Sequence, residues 1–270
     1  MIDAAATGLP VAEVLGALTQ ALEAGPNAVL VAPPGAGKTT LVPLVLLDAP
    51  WAAGRRIVML EPRRLAARAA ARRMAAMLGE RVGETVGYRM RLDSRVGPTT
   101  RIEVVTEGAF ARMIVDDPEL TGIAAVIFDE FHERSLDADF SLALALDVQS
   151  ALREDVRLVV MSATLDGGRV AALMGDAPVI ESAGRSHPVD IRHAPRKPDQ
   201  RIEDAVAEAI RAALRDEQGS ILAFLPGQAE IRRTAERLEG TLPANAYLAP
   251  LFGAMDISDQ DAAILPPDLG

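Results

Sequence analysis

The chain contains no cysteine. That excludes disulfides and thiolate metal sites, and it is compatible with a cytoplasmic protein. Histidine is almost as scarce: His132, His187 and His193 are too scattered for a zinc-binding spacing. Lysine occurs only at Lys38 and Lys197, so nearly all the positive charge is arginine. Aromatic residues make up 3% of the chain, which leaves little material for stacking surfaces. No long apolar run is present. The most notable one, Leu41 to Leu47, is broken by Pro43 and falls far short of a membrane span. The N-terminus, MIDAAATGLP, has an early acid and no basic n-region, so it does not read as a secretory signal. Internal repeats and low-complexity tracts are missing too, although alanine is frequent.

What is present supports an ordered globular protein. The 270 residues are 49% hydrophobic and 24% charged, enough for one large domain or two modest ones with a substantial core. A net charge of −10 argues at first against a phosphate-rich partner. The charge is unevenly spread, however. Between Gly54 and Arg101 there are 12 arginines against 4 acids, so a basic stretch sits on an acidic body. The bland reading of that stretch is a solvated helix face.

Val11 to Ala24 reads as a helix closed by Gly25-Pro26. Ala28–Val31 is a short apolar run leading to a Gly-rich turn and a helical segment at Thr39–Leu47. Further strand-like runs occur at Arg56–Leu60, Ile102–Val105, Ala124–Phe128 and Arg157–Met161. They are rich in Val and Ile with little alternation, as expected of parallel strands covered on both faces. Helical patterns such as Arg63–Leu78 and Gly108–Val115 lie between them, which predicts a doubly wound α/β sheet. Prolines 178, 188, 195 and 198 mark a composition change. The expected layout is a first domain at 1–175, a linker region at 176–200 and a partial second domain at 201–270. In that last part a helix is expected at Ile202–Arg215, a strand at Ile221–Leu225, a helix at Gln228–Glu239 and a strand near Tyr247–Leu248.

The strongest motif is Ala32-Pro-Pro-Gly-Ala-Gly-Lys-Thr39, which matches the phosphate loop G-x-x-x-x-G-K-[ST] except that Ala32 replaces the first Gly. Here Pro34, Gly35, Ala36 and Gly37 would curl the backbone so that successive N–H groups point at phosphate oxygens, with Thr40 in the helix that follows. Lys38 would reach the β- and γ-phosphates of ATP, and the Thr39 hydroxyl would bind Mg²⁺. A second motif, Asp129-Glu-Phe-His132, follows an apolar strand directly. Two adjacent carboxylates at a strand's C-terminal end suit a ligand crevice better than a core. Asp129 would hold Mg²⁺, partly through water, and Glu130 would orient and deprotonate an attacking water. Alone, such a pair is more often a solvated turn; an upstream phosphate loop makes it meaningful.

Five motifs in order, Gly35-Ala-Gly-Lys-Thr39, Glu61-Pro-Arg-Arg64, Thr106-Glu-Gly108, Asp129-Glu-Phe-His132 and Ser162-Ala-Thr164, resemble motifs I, Ia, Ib, II and III of superfamily 2 helicases. His132 makes the second motif similar to the DEAH box. Asp129-Glu-Phe-His-Glu-Arg-Ser-Leu136, with Phe131 in place of the usual Ala, resembles the bacterial HrpB-type ATP-dependent helicases. Leu60-Glu-Pro-Arg-Arg-Leu-Ala-Ala-Arg68 and Phe224-Leu-Pro-Gly-Gln228 do so as well.

The resemblance implies a RecA-like P-loop NTPase domain followed by an incomplete second RecA-like domain. It also implies an ATP- and Mg²⁺-dependent helicase, other NTPs not being excluded. Glu130, Asp129, His132 and Lys38 would be its catalytic set. Arg63, Arg64, Thr106, Glu107 and Gly108 would contact single-stranded RNA, or DNA, through its backbone. Ser162 and Thr164 would couple the nucleotide site to domain closure, helped by His132. Arg89 and Arg91 are further candidates for strand contact. The partner strand would be gripped through phosphate with weak sequence preference. A cytoplasmic monomer is favoured.

Counterparts of motifs V and VI are not found, so the expectation is a truncated portion that binds nucleotide and hydrolyses it weakly. A P-loop kinase or GTPase would need an acceptor site or a guanine-reading motif, neither of which is recognisable. A non-catalytic, nucleotide-gated nucleic-acid-binding module stays open as the alternative.

Overall fold

Apolar β-branched runs that alternate with amphipathic helices can bury both strand faces only by placing helices on each side of one sheet. The computed structural model, which describes residues 3–164, 167–184 and 188–264, has this arrangement. It divides into two compact units, Met1–His187 and Pro188–Gly270.

The first unit holds an eight-stranded sheet. Its strands are β1 (Asn27–Val31), β2 (Arg56–Leu60), β3 (Val86–Met90), β4 (Asp93–Arg95), β5 (Ile102–Val105), β6 (Ile123–Phe128), β7 (Arg157–Ser162) and β8 (Val179–Glu181). Their order across the sheet is β4-β3-β5-β2-β6-β7-β1-β8. Every pairing is parallel except the β3–β4 hairpin at one edge. β7 lies between β1 and β6, a RecA-like arrangement. The helices are α1 (Leu15–Ala24), α2 (Lys38–Leu46), α3 (Arg64–Met77), α4 (Glu107–Asp116), α5 (Leu136–Ala151) and α6 (Gly167–Leu173).

Alternate residues of each central strand feed two separate cores. On one face Leu30, Ile57, Met59, Ile127 and Val159 pack with Leu18 and Leu22 of α1, Leu41 of α2 and Met74 of α3. On the other, Val29, Val58, Val126 and Phe128 pack with Phe110 of α4, Leu142 and Val148 of α5 and Val170 of α6. The edge-to-face pairs Phe110–Phe128 (6.1 Å) and Phe128–Phe131 (6.3 Å) extend the second core up to the acidic motif.

The unit runs beyond residue 175. β8, inside the stretch assigned to a linker, pairs with β1 through Val29–Val31. β3, β4 and α5 were not anticipated either. β3 carries Gly87, Tyr88 and Arg89, which obscure an apolar pattern, and in α5 the apolar residues are not confined to one stripe.

In the second unit α7 (Ile202–Asp216) packs against α8 (Gln228–Leu238), and α9 (Ile257–Ile264) follows. Buried Ala207 and Leu238 lie in these helices. Glu203 receives Arg233 at 3.5 Å and Arg237 at 3.4 Å. The strands expected at 221–225 and 247–248 do not form. A strand exists only where a neighbour completes its hydrogen bonds, and among the described residues no extended segment pairs with either run. Ile221, Leu222 and Phe224 are consequently exposed. No helix among the described residues is long and apolar enough to cross a membrane.

Candidate nucleotide and nucleic-acid site

Parallel strands deliver their following loops to one edge of the sheet, so β1, β2, β5, β6 and β7 bring all five motifs to the same side. The phosphate loop leaves β1 and ends at α2. Its backbone is left-handed at Gly35 (φ 78°) and at Gly37 (φ 91°). A Cβ at Gly37 would also stand 2.7 Å from Leu9 Cδ1, so an L side chain there is opposed by both conformation and space. The preceding segment steadies the loop: the N–H of Val11 donates to the carbonyl of Ala36 at 3.0 Å. On the far side, the N–H of Ala32 donates to the Ser162 carbonyl at 2.9 Å. Pro34 and Gly35 are exposed, and Thr40 Oγ1 donates to the Gly37 carbonyl at 3.4 Å.

The acidic pair meets this loop directly. Lys38 Nζ donates to Glu130 Oε1 at 2.9 Å, and Thr39 Oγ1 donates to Asp129 Oδ2 at 2.5 Å. Both Lys38 and Asp129 are buried. Burial pushes the Asp129 carboxyl up to about 6, against the opposing effect of the Thr39 hydrogen bond.

His132 Nδ1 lies 3.3 Å from Glu130 Oε2 and accepts the N–H of Ala163 at 3.2 Å. It links the acidic motif to Ser162-Ala-Thr164. Within that turn the N–H of Thr164 donates to Ser162 Oγ at 3.2 Å.

The expected strand contacts divide into two groups. Arg63 and Arg64 start α3 after β2, while Thr106, Glu107 and Gly108 start α4 after β5, and the two strands are neighbours. Arg63 pairs with Glu133 at 2.7 Å, and Arg64 Nη2 donates to the Arg91 carbonyl at 3.3 Å. Glu107 accepts the hydroxyl of Ser135 at 2.8 Å. Thr106 makes no side-chain cap to α4, and Gly108 faces open space. Arg89 is committed elsewhere: it donates to buried Glu103 at 2.5 Å and, with Arg56, neutralises that carboxylate.

Sequence reasoning included Glu61, Glu133 and Ser135 in motif segments and gave them no role. Glu61 is buried, and burial, then the charge of Asp129, pushes its carboxyl up to about 8. The backbone N–H of Arg63 binds it and opposes the shift. The signal available for Glu133 and Ser135 was their position immediately after the acidic motif.

A magnesium ion and a nucleoside triphosphate are implied by this loop and acid combination, and the residues fit both. The Thr39 hydroxyl and Asp129 carboxylate are hard oxygen donors already in contact, and the left-handed Gly35 and Gly37 curl the loop backbone as a phosphate cradle requires. No group of three or more His, Cys, Asp or Glu placed to hold a metal occurs among the described residues. Two protein oxygens, with water and phosphate completing the shell, is how magnesium is usually bound.

The chain is 53% identical over 264 residues to the ATP-dependent RNA helicase HrpB of Escherichia coli K12, covering 98% of this chain and 32% of that protein. It is 31% identical over 258 residues to ATP-dependent RNA helicase HrpA of the same organism, covering 94% of this chain and 20% of that one. The crystal structure of the Escherichia coli DEAH/RHA helicase HrpB superposes with a TM-score of 0.88 at 53% identity, over 97% of this chain and 33% of that one. The chain thus spans about a third or less of the length of these relatives. The DEAD/DEAH box helicase profile matches residues 15–173, more than half of the chain, and on that ground the protein is a member of the DEAD/DEAH box helicase family.

Proposed function

We propose that this chain is the nucleotide-binding portion of a DEAH-type, NTP-dependent RNA helicase, with ATP as the nucleotide. The observation that carries the reading is the direct pairing of Lys38 with Glu130 and of Thr39 with Asp129 across the sheet edge. Residues 34–40 would wrap the triphosphate, with amide N–H groups and the N-terminus of α2 facing its oxygens. Lys38 would exchange Glu130 for the β- and γ-phosphates, which frees that carboxylate to accept a proton from water. The water oxygen then bonds to the γ-phosphorus as the bond to ADP breaks. Thr39 and Asp129, the latter partly through water, would hold magnesium. The ion would neutralise phosphate charge.

Arg63, Arg64 and the Thr106–Gly108 turn would hold the backbone of one strand, with Ser162, Thr164 and His132 reporting nucleotide state to them. RNA is preferred over DNA because both helicase relatives carry RNA in their names. Residues 201–270 would begin a second RecA-like domain, and a cytoplasmic location and a monomeric state complete the reading.

Calorimetric titration with Mg-ATP tests the reading. Lys38→Ala should abolish measurable nucleotide binding, and Glu130→Gln should retain it while removing any hydrolysis. Tight binding by the Lys38 variant would end the phosphate-loop assignment. Strand-stimulated turnover by the parent chain would contradict the expectation that a portion without motifs V and VI hydrolyses nucleotide weakly.

A further inference from the structure

The six residues that follow Asp129 form a short segment that touches both expected ligand sites. Glu130 pairs with Lys38 of the phosphate loop. Three residues later Glu133 pairs with Arg63, the residue that opens the first strand-contact helix. Two residues beyond that, Ser135 donates its hydroxyl to Glu107 of the second strand-contact motif. The 3-10 turn Phe131–Glu133 is bounded by two non-glycine residues in left-handed conformation, Glu130 (φ 49°) and Arg134 (φ 55°). Such residues store local strain and are held by their surroundings, so a turn bounded by two of them responds when a surrounding contact is lost. The Arg63–Glu133 pair is a contact that can be lost. Arg63 is 70% exposed and Glu133 is 32% exposed, and exposed ion pairs of this kind are weak.

We propose that Glu133 is a positioning residue that competes with strand phosphates for the guanidinium of Arg63, so that arrival of a strand releases the turn carrying Glu130. A phosphate group offers Arg63 two oxygens, as a carboxylate does, and taking it leaves Glu133 without its cation. The turn then loses one of its anchors at the end opposite Glu130. The route from strand to nucleotide chemistry would then be the three-residue step from Glu133 back to Glu130. This proposal rests on the reading of Arg63 as a strand contact.

The test is a double-mutant cycle on the 270-residue chain, read as affinity for a fluorescein-labelled single-stranded oligouridylate at low salt. Each variant is first checked for a parent-like melting profile. Glu133→Gln should tighten binding by about three-fold, the scale of an exposed ion pair. In the Arg63→Ala background the same change should have no effect. Equal tightening in both backgrounds would mean simple charge repulsion by Glu133 and would overturn the proposal, as would no tightening in the parent. Both results leave the strand-contact reading intact if Arg63→Ala itself weakens binding. If Arg63→Ala leaves affinity unchanged, the strand-contact reading falls and the competition with it.

Discussion

A carboxyl group with a folded-state pKa of about 8 ties stability to pH in one direction. Below the ordinary value of 4.5, Glu61 carries a proton whether the chain is folded or unfolded. As pH rises from there, the unfolded chain releases the proton and the folded chain keeps it, so stability falls until pH passes about 8. Glu61→Gln has no such proton to lose. In metal-free buffer the melting temperature of this variant should rise relative to the parent between about pH 5 and pH 8, with the gap levelling off above that. A gap independent of pH would mean that Glu61 is ionised in the folded chain. At this scale the sequence was informative wherever chemistry demands a residue type at a set spacing, as at Lys38, Thr39, Asp129 and Glu130. It was silent on Glu61, because burial of a carboxylate depends on which strand end lies beside it. It did not show the partner of Arg89, Glu103, which sits on the neighbouring strand β5.

Among the elements, the phosphate loop makes the sharpest demand on the backbone. Gly35→Ala would meet open space and oppose only the left-handed conformation, whereas Gly37→Ala would also press on Leu9. Both should destabilise the chain in urea by about 1–3 kcal/mol, Gly37→Ala by more. Equal losses would show that Leu9 yields freely. Replacing Ser135 by Ala removes the hydroxyl that accepts the Ala138 N–H and caps α5, a loss of about 1 kcal/mol.

The central strands were readable because burial on both faces writes itself as an unbroken apolar run. β8 has three residues and β4 has three, too few to carry a pattern. The run at 221–225 shows the converse. It has the composition of a strand and, among the described residues, no neighbour to pair with, so composition alone could not decide its state.

For the whole molecule, the total charge of −10 masks an arginine-rich stretch from 54 to 101. Binding of single-stranded RNA should weaken steeply with salt despite the acidic total, because only local neutralisation of phosphates releases counterions. Each phosphate contact on a single strand adds about 0.7 to the log–log salt slope, so Arg63→Ala should lower the slope by about that amount. An unchanged slope would place Arg63 outside the strand groove. Fold class was legible at this scale from the alternation of runs and helices, and the family from five motifs in order. The extent of the first unit was not, since β8 joins the sheet only through its register with β1.

The insertion of β7 between β1 and β6 has a dimensional consequence. Two inter-strand steps separate the strand that ends in the phosphate loop from the strand that ends in the acids, about 9–10 Å of hydrogen-bonded backbone. The width of the crevice is thereby a property of the peptide ladder. Side-chain changes deep in either core can soften the protein without narrowing the gap, and the lattice of main-chain bonds acts as the gauge block against which the reacting groups are set.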